Sequence, residues 1–190
     1  MTVTSVKSNR PRQPTAGAPA LTVWIYDTAL GAAAGSVRLR NLRERGALQI
    51  HEAITVSWMP GVHQPRIGHL RHETSAGAAR ASVLGGLVDL MFRAPATAVS
   101  AGPDLAELAL RLHGTGIDQL FLEEMRAQLH PESSALLVLS GDVDLDIVRP
   151  VVERGLARGD AVLMHAQLQH DAPAVLRDAV RDLQGQSGGA

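Results

Sequence analysis

Cysteine is absent from all 190 residues. That excludes disulfides, thiolate metal sites and cysteine nucleophiles, and it fits a reducing interior. Aromatic residues are nearly absent: two Trp, one Tyr and two Phe. So few rings leave no stacking platform for nucleic acid and little from which to build a haem pocket. The net charge is only −1, so no overall field draws the chain to nucleic acid or anionic lipid. Lysine is almost missing too, Lys7 standing against 17 arginines, which reads as codon bias in the genome. No long hydrophobic run is present. The longest, Ala81–Phe92, is interrupted by Asp89 and closed by Arg93 and Pro95, whereas a spanning helix needs about 20 apolar residues. Nor does the N-terminus carry the apolar run of a secretory signal. A cytoplasmic protein, at most peripheral to a membrane, is expected.

What is present is a repeat. Residues 21–58 and 135–169 both read as strand–helix–strand, and a shift of 114 positions lays the first on the second without a gap, with Tyr26 on Ser140, Ile50 on Met164 and His51 on His165. Units of this kind need about 30 residues or more. Two of them predict an α+β, ferredoxin-like sandwich over residues 20–183. The polar residues 1–19 are expected to be a disordered tail and 184–190 a flexible one.

The first half reads as strand Leu21–Asp27, helix Ala29–Arg45 stopped by Gly46, and strand Leu48–Met59. In that last strand Leu48, Ile50, Ile54, Val56 and Trp58 alternate with Gln49, His51, Ala53, Thr55 and Ser57. Pro65 confines a short strand over His63–Arg71 to an edge. Residues from about 74 to 130 form a helical insertion, with short helices over Asp104–His113 and Ile117–Leu129. The second half reads as strand Ala135–Ser140, a helix capped by Asp142 with Asp144 and Asp146 in its first turn, strand Asp160–Gln169 and a last helix over Ala172–Leu183.

In this fold helices cover one face of the sheet. The other face is expected to carry Trp24, Tyr26, Leu137 and Leu139 centrally, with His51, Thr55, His165 and Gln167 toward the edges. It needs a cover: either the insertion or a second subunit across an isologous interface. Small residues spaced along the insertion, Gly77, Ala81, Gly85 and Gly86, make a groove suited to close helix contact and are the expected oligomer contact.

The opening strand and helix, the Gly/Ala-rich hairpin and the block GIDQLFLEEMRAQLHPESSALLVL at Gly116–Leu139 resemble the domain of unknown function 1269 family, small bacterial proteins of which many are described as membrane proteins. The family pattern runs from Gly-Ile-Asp through an acidic amphipathic helix to Leu-x-Pro-Gly-Ser-Ser-Ala. This chain has Glu132 where the family usually has Gly, and its hairpin is shorter and more charged. The resemblance implies no established reaction and no catalytic residues.

Candidate chemistry is sparse. His63, His69 and His72, beside Glu73, offer metal-ligand types, but their spacing matches no rigid motif and a polar loop explains them. Trp24, Tyr26, His51 and His165 could surround a ligand on the open sheet face, with a histidine as ligand or base; paired interface histidines are the plainer reading. Arg38, Arg40, Arg43 and Arg45 could hold phosphate but fit a solvated helix face. Asp142, Asp144 and Asp146 alternate like a calcium loop, yet lack its glycine and distal glutamate. No GxSxG, Walker A, GxGxxG or HExxH motif occurs, so no cofactor is expected. The expectation is a non-enzymatic, self-assembling interaction protein: a homo-oligomer that binds itself, a protein partner or a membrane surface, and not nucleic acid. The alternative is a ligand- or metal-binding module with its site on the open sheet face.

Overall fold

The structure is a computed structural model that describes residues 18–70, 82–92, 105–159 and 161–187. Its elements are β1 (Ala20–Tyr26), α1 (Gly31–Glu44), β2 (Leu48–Ser57), β3 (Arg66–His69), α2 (Val83–Phe92), α3 (Leu105–Arg111), α4 (Gln119–Gln128), β4 (Ser134–Val143), α5 (Leu145–Leu156), β5 (Ala161–Gln167) and α6 (Ala172–Ser187). The five strands form one open antiparallel sheet in the order β3-β2-β4-β1-β5. The described residues therefore form a mixed α+β protein with six helices. β3 is an edge strand, as Pro65 requires, and α6 runs on past Leu183.

Burial follows from the composition of the central strands. β1 and β4 are apolar on both faces, and both are buried between helices. Leu21, Val23, Ile25, Ile54, Val56, Leu137, Leu139 and Met164 form one face, packed with α2, α3, α4 and α6. The insertion thus covers the sheet of its own chain. Apart from the exposed Asp89, α2 is apolar and nearly every side chain on it is buried, as expected of a helix with packing partners on several sides. Glu52 reaches from β2 to its first turn, where the carboxylate accepts from the Ser82 hydroxyl and from the amides of Val83 and Leu84.

The other face carries Tyr26, Leu136, Val138 and Ala53, packed under α1 through Ala32 and Leu39, with Trp24 beside them. This corrects the expected open face. Trp24 stands opposite Leu136 and Tyr26 opposite Ser134, and directly opposed residues share a face. Trp24 and Tyr26 therefore lie with Leu136 and Val138, away from Leu137 and Leu139, and beneath helices rather than open.

A second correction concerns β2. Its pairing with β4 slips between Leu48 and Ile50 and again between Ile50 and Glu52. This bulged stretch breaks the apparent alternation. Leu48 and Ile50 pack with Ala53 on the α1 side, while Ile54 and Val56 belong to the opposite core.

Two turns carry local chemistry. α1 has no side-chain cap of its own. Instead the Ser134 hydroxyl, from β4, accepts from the Ala32 amide at 2.9 Å and donates to the Thr28 carbonyl. The turn before β4 puts Glu132 at φ 75°, a left-handed conformation that costs an L-residue about 1–2 kcal/mol. This is the position where the resemblance calls for Gly. Glu132→Gly is expected to stabilise the chain by about 0.5–1 kcal/mol, after the added freedom of glycine in the unfolded chain is set against the relieved strain. An unchanged or lowered urea midpoint would refute this.

Candidate functional site

The expected first cap of α5 is displaced. β4 continues through Asp142, and Asp144 caps the helix by accepting from the amides of Asp146 and Ile147. The three aspartates are thus divided between a strand and a helix start rather than gathered in a loop. α5 then crosses the sheet loosely. Ile147 is 37% exposed and Leu156 40%, although both are apolar. α1 lies closer, because Gly31 and Gly35 leave room for the Tyr26 ring, which a Cβ at either position would strike.

Between α1, α5 and the sheet lies a cavity of about 380 Å³. Its floor is Ala20, Thr22, Trp24, Val138, Ser140, Leu163 and His165. Its walls are Leu39 and Leu42 from α1 and Val148, Val151 and Val152 from α5. The physical cause is side-chain length: the small residues Ala20, Thr22, Val138 and Ser140 of the floor face short β-branched valines above, and neither set fills the gap. The Trp24 ring sits near one end, 3.4 Å from where a Gly155 Cβ would stand. Beside it lies a narrower chamber of about 50 Å³, lined by Tyr26 and Arg38 and sharing Trp24, Leu39, Leu42 and Val151 with the first.

Few polar groups line the cavity. Thr22 Oγ1 and His165 Nδ1 share a hydrogen bond of 3.1 Å. Gln167 donates to the carbonyls of Ala18 and Pro19 at 2.9 and 3.1 Å. Ser140 is 3% exposed, and its hydroxyl has no hydrogen-bond partner among the described residues.

Of the four residues expected around a ligand, Trp24 and His165 line this cavity and Tyr26 lines its narrow extension. His51 does not join them. It is exposed and lies over Gly141, where its Nε2 would be 2.8 Å from a Cβ, beside Gln49. The bulged stretch of β2 is what breaks the pseudo-symmetry with His165.

The remaining candidates are dispersed. His63 is exposed in a loop, and His69 is exposed on β3, its Cε1 near Gly85; His72 lies outside the described residues. Among the described residues no group of three or more His, Cys, Asp or Glu is placed to hold a metal. Gly85 and Gly86 are buried within this chain, Gly86 against Val180 and Gln184 of α6; Gly77 and Ala81 lie outside the described residues. Arg40 and Arg43 line a separate groove with Ser36, Ile50 and Leu70, whereas Arg38 borders the narrow chamber and Arg45 is exposed. Ser140 and the α5 valines escaped sequence reasoning. The valines at 148, 151 and 152 do form an apolar stripe at helical spacing, but a stripe predicts burial equally well whether it faces packed atoms or a void.

The family model described as "Protein of unknown function (DUF1269)" matches residues 78–181, more than half of the chain, and the chain belongs to that family. The matched span includes α2 through most of α6, with the Ser140 strand and the α5 wall of the cavity. No curated protein and no solved structure matches the chain. No helix among the described residues is long and apolar enough to cross a membrane.

Proposed function

We propose that this chain is a binding module for a small, largely apolar molecule held between the sheet and helices α1 and α5. The carrying observation is the 380 Å³ cavity, within the roughly 300–1,000 Å³ of small-molecule sites and, like them, mostly apolar with a few convergent polar groups. α5 is the natural door, since its apolar residues are only partly buried. The scaffold is a ferredoxin-like sandwich with the extra edge strand β3. In support, β2-β4-β1-β5 alternates the strands of two strand–helix–strand halves, with α1 and α5 on a common side. That fold serves many functions, so the cavity and not the fold carries the reading.

Val151→Trp tests it by filling the chamber from the α5 side. The wild-type chain is expected to bind diphenylhexatriene, a neutral apolar rod that fluoresces out of water. The variant, still unfolding cooperatively, is expected to lose at least about tenfold in affinity, a change of about 1.4 kcal/mol. Equal dye binding by both proteins would overturn the proposal.

A further inference from the structure

Resting on that reading of the cavity as a ligand site, we infer that its occupant is an uncharged linear amphiphile whose polar head hydrogen-bonds the Ser140 hydroxyl. Three observations converge on this class. The first is the hydroxyl itself: Ser140 is 97% buried, lines the cavity, and finds no partner among the described residues. Buried polar groups are ordinarily hydrogen-bonded, and a hydroxyl both donates and accepts, so a ligand hydroxyl, ester or amide satisfies it.

The second observation is charge. No Arg, Lys, Asp or Glu lines the larger chamber; His165 is its one titratable side chain, and its Nδ1 is engaged by Thr22. A carboxylate or ammonium head would lose its hydration there without an opposite charge to replace it. The chemistry beside Ser140 therefore selects a neutral head, Arg38 standing apart in the narrow chamber. The third is shape. At Trp24 the cavity is adjoined by the narrow chamber lined by Tyr26, the two sharing Trp24, Leu39, Leu42 and Val151. Two helices above three strands, with the smaller chamber at the Trp24 end, accommodate an extended chain better than a fused ring system.

Displacement of diphenylhexatriene at pH 8 tests the assignment, with decanol and ionised decanoate as the competing probes. Decanol is expected to displace the dye at least about tenfold more effectively than decanoate, from the uncompensated charge alone. Ser140→Ala is expected to weaken decanol about three- to tenfold more than it weakens the dye, as one neutral hydrogen bond implies. Its thermal midpoint should not fall, because the hydroxyl removed had no partner among the described residues. If the dye itself does not bind, the cavity is not a ligand site and both readings fail. If the dye binds but decanoate competes as well as decanol, only the neutral amphiphile is overturned; the same holds if Ser140→Ala weakens decanol no more than the dye. Should Ser140→Ala not fold, the decanol-to-decanoate ratio on the wild-type chain decides the matter.

Discussion

Gly86→Leu is expected to lower the stability of the chain by about 2–4 kcal/mol, out of the 5–15 kcal/mol typical of a native domain. Gly86 is buried in α2, and a Cβ there would run into Cγ1 of Val180 and lie 3.0 Å from Nε2 of Gln184, both on α6. Added bulk in a closed core costs about 1–3 kcal/mol and occasionally more, and leucine brings four carbons where the first already collides. Relief would require α2 and α6 to separate, uncovering part of the face formed by Leu21, Val23 and Leu137. The measurement is the urea midpoint, with an unchanged slope marking a loss of stability rather than of two-state behaviour. Sedimentation of the same sample reads the alternative. If Gly86 served instead as a contact between copies, the substitution would alter association and leave the midpoint of the unassociated chain where it was.

The second large effect is expected at Gly116→Ala, about 3 kcal/mol or more. Gly116 holds φ at +99° and leads into α4, whose first turn is capped by Asp118 accepting from the Phe121 amide at 2.8 Å. An L-residue pays about 1–2 kcal/mol for a left-handed backbone. The added methyl would also strike the backbone carbonyl of Gln167 at the end of β5, and a backbone atom cannot rotate aside. Gly114 supplies the control within the same turn, with φ at +81° and nothing within 4 Å of a Cβ. Gly114→Ala should therefore cost only the conformational part, about 1–2 kcal/mol. The difference between the two variants isolates the collision; equal losses would show that β5 yields freely at Gln167.

Much of the architecture was legible from local pattern. The repeated strand–helix–strand reading located β1, α1, β2, β4, α5 and β5, and Pro65 rightly confined β3 to an edge. What stayed hidden depends on register, which is set between strands distant in sequence. Leu48, Ile50, Ile54 and Val56 look like one uninterrupted stripe, and only the pairing with β4 reveals where it slips. Assigning Trp24 to the face of Leu137 instead of Leu136 is an error of a single position, and in a strand one position reverses the face. β4 was read as ending at Ser140 because glycine and aspartate are poor strand formers; pairing with Leu48 draws it on to Val143.

The candidate site was half legible. Trp24 and His165 were identifiable as apolar surface and titratable group on one face. The cavity itself was not, since it arises from what short side chains on three separate elements fail to fill. Glu132 is the reverse case. The departure from the family's glycine was visible in the sequence, but its meaning needed the positive φ.

The strand order also governs how this protein must be made. β1 and β2 are not neighbours, because β4 lies between them and pairs with both, and the α1 start is fastened by Ser134 of the same strand. A ribosome-bound chain that has emerged only through α4 therefore holds β1 and the β2–β3 pair with no template to join them. The full sheet can zip only once its central strand has been synthesised, which makes folding depend on non-local contacts. Until then the apolar faces of β1 and β2 remain exposed, and that interval is when aggregation competes most strongly with folding.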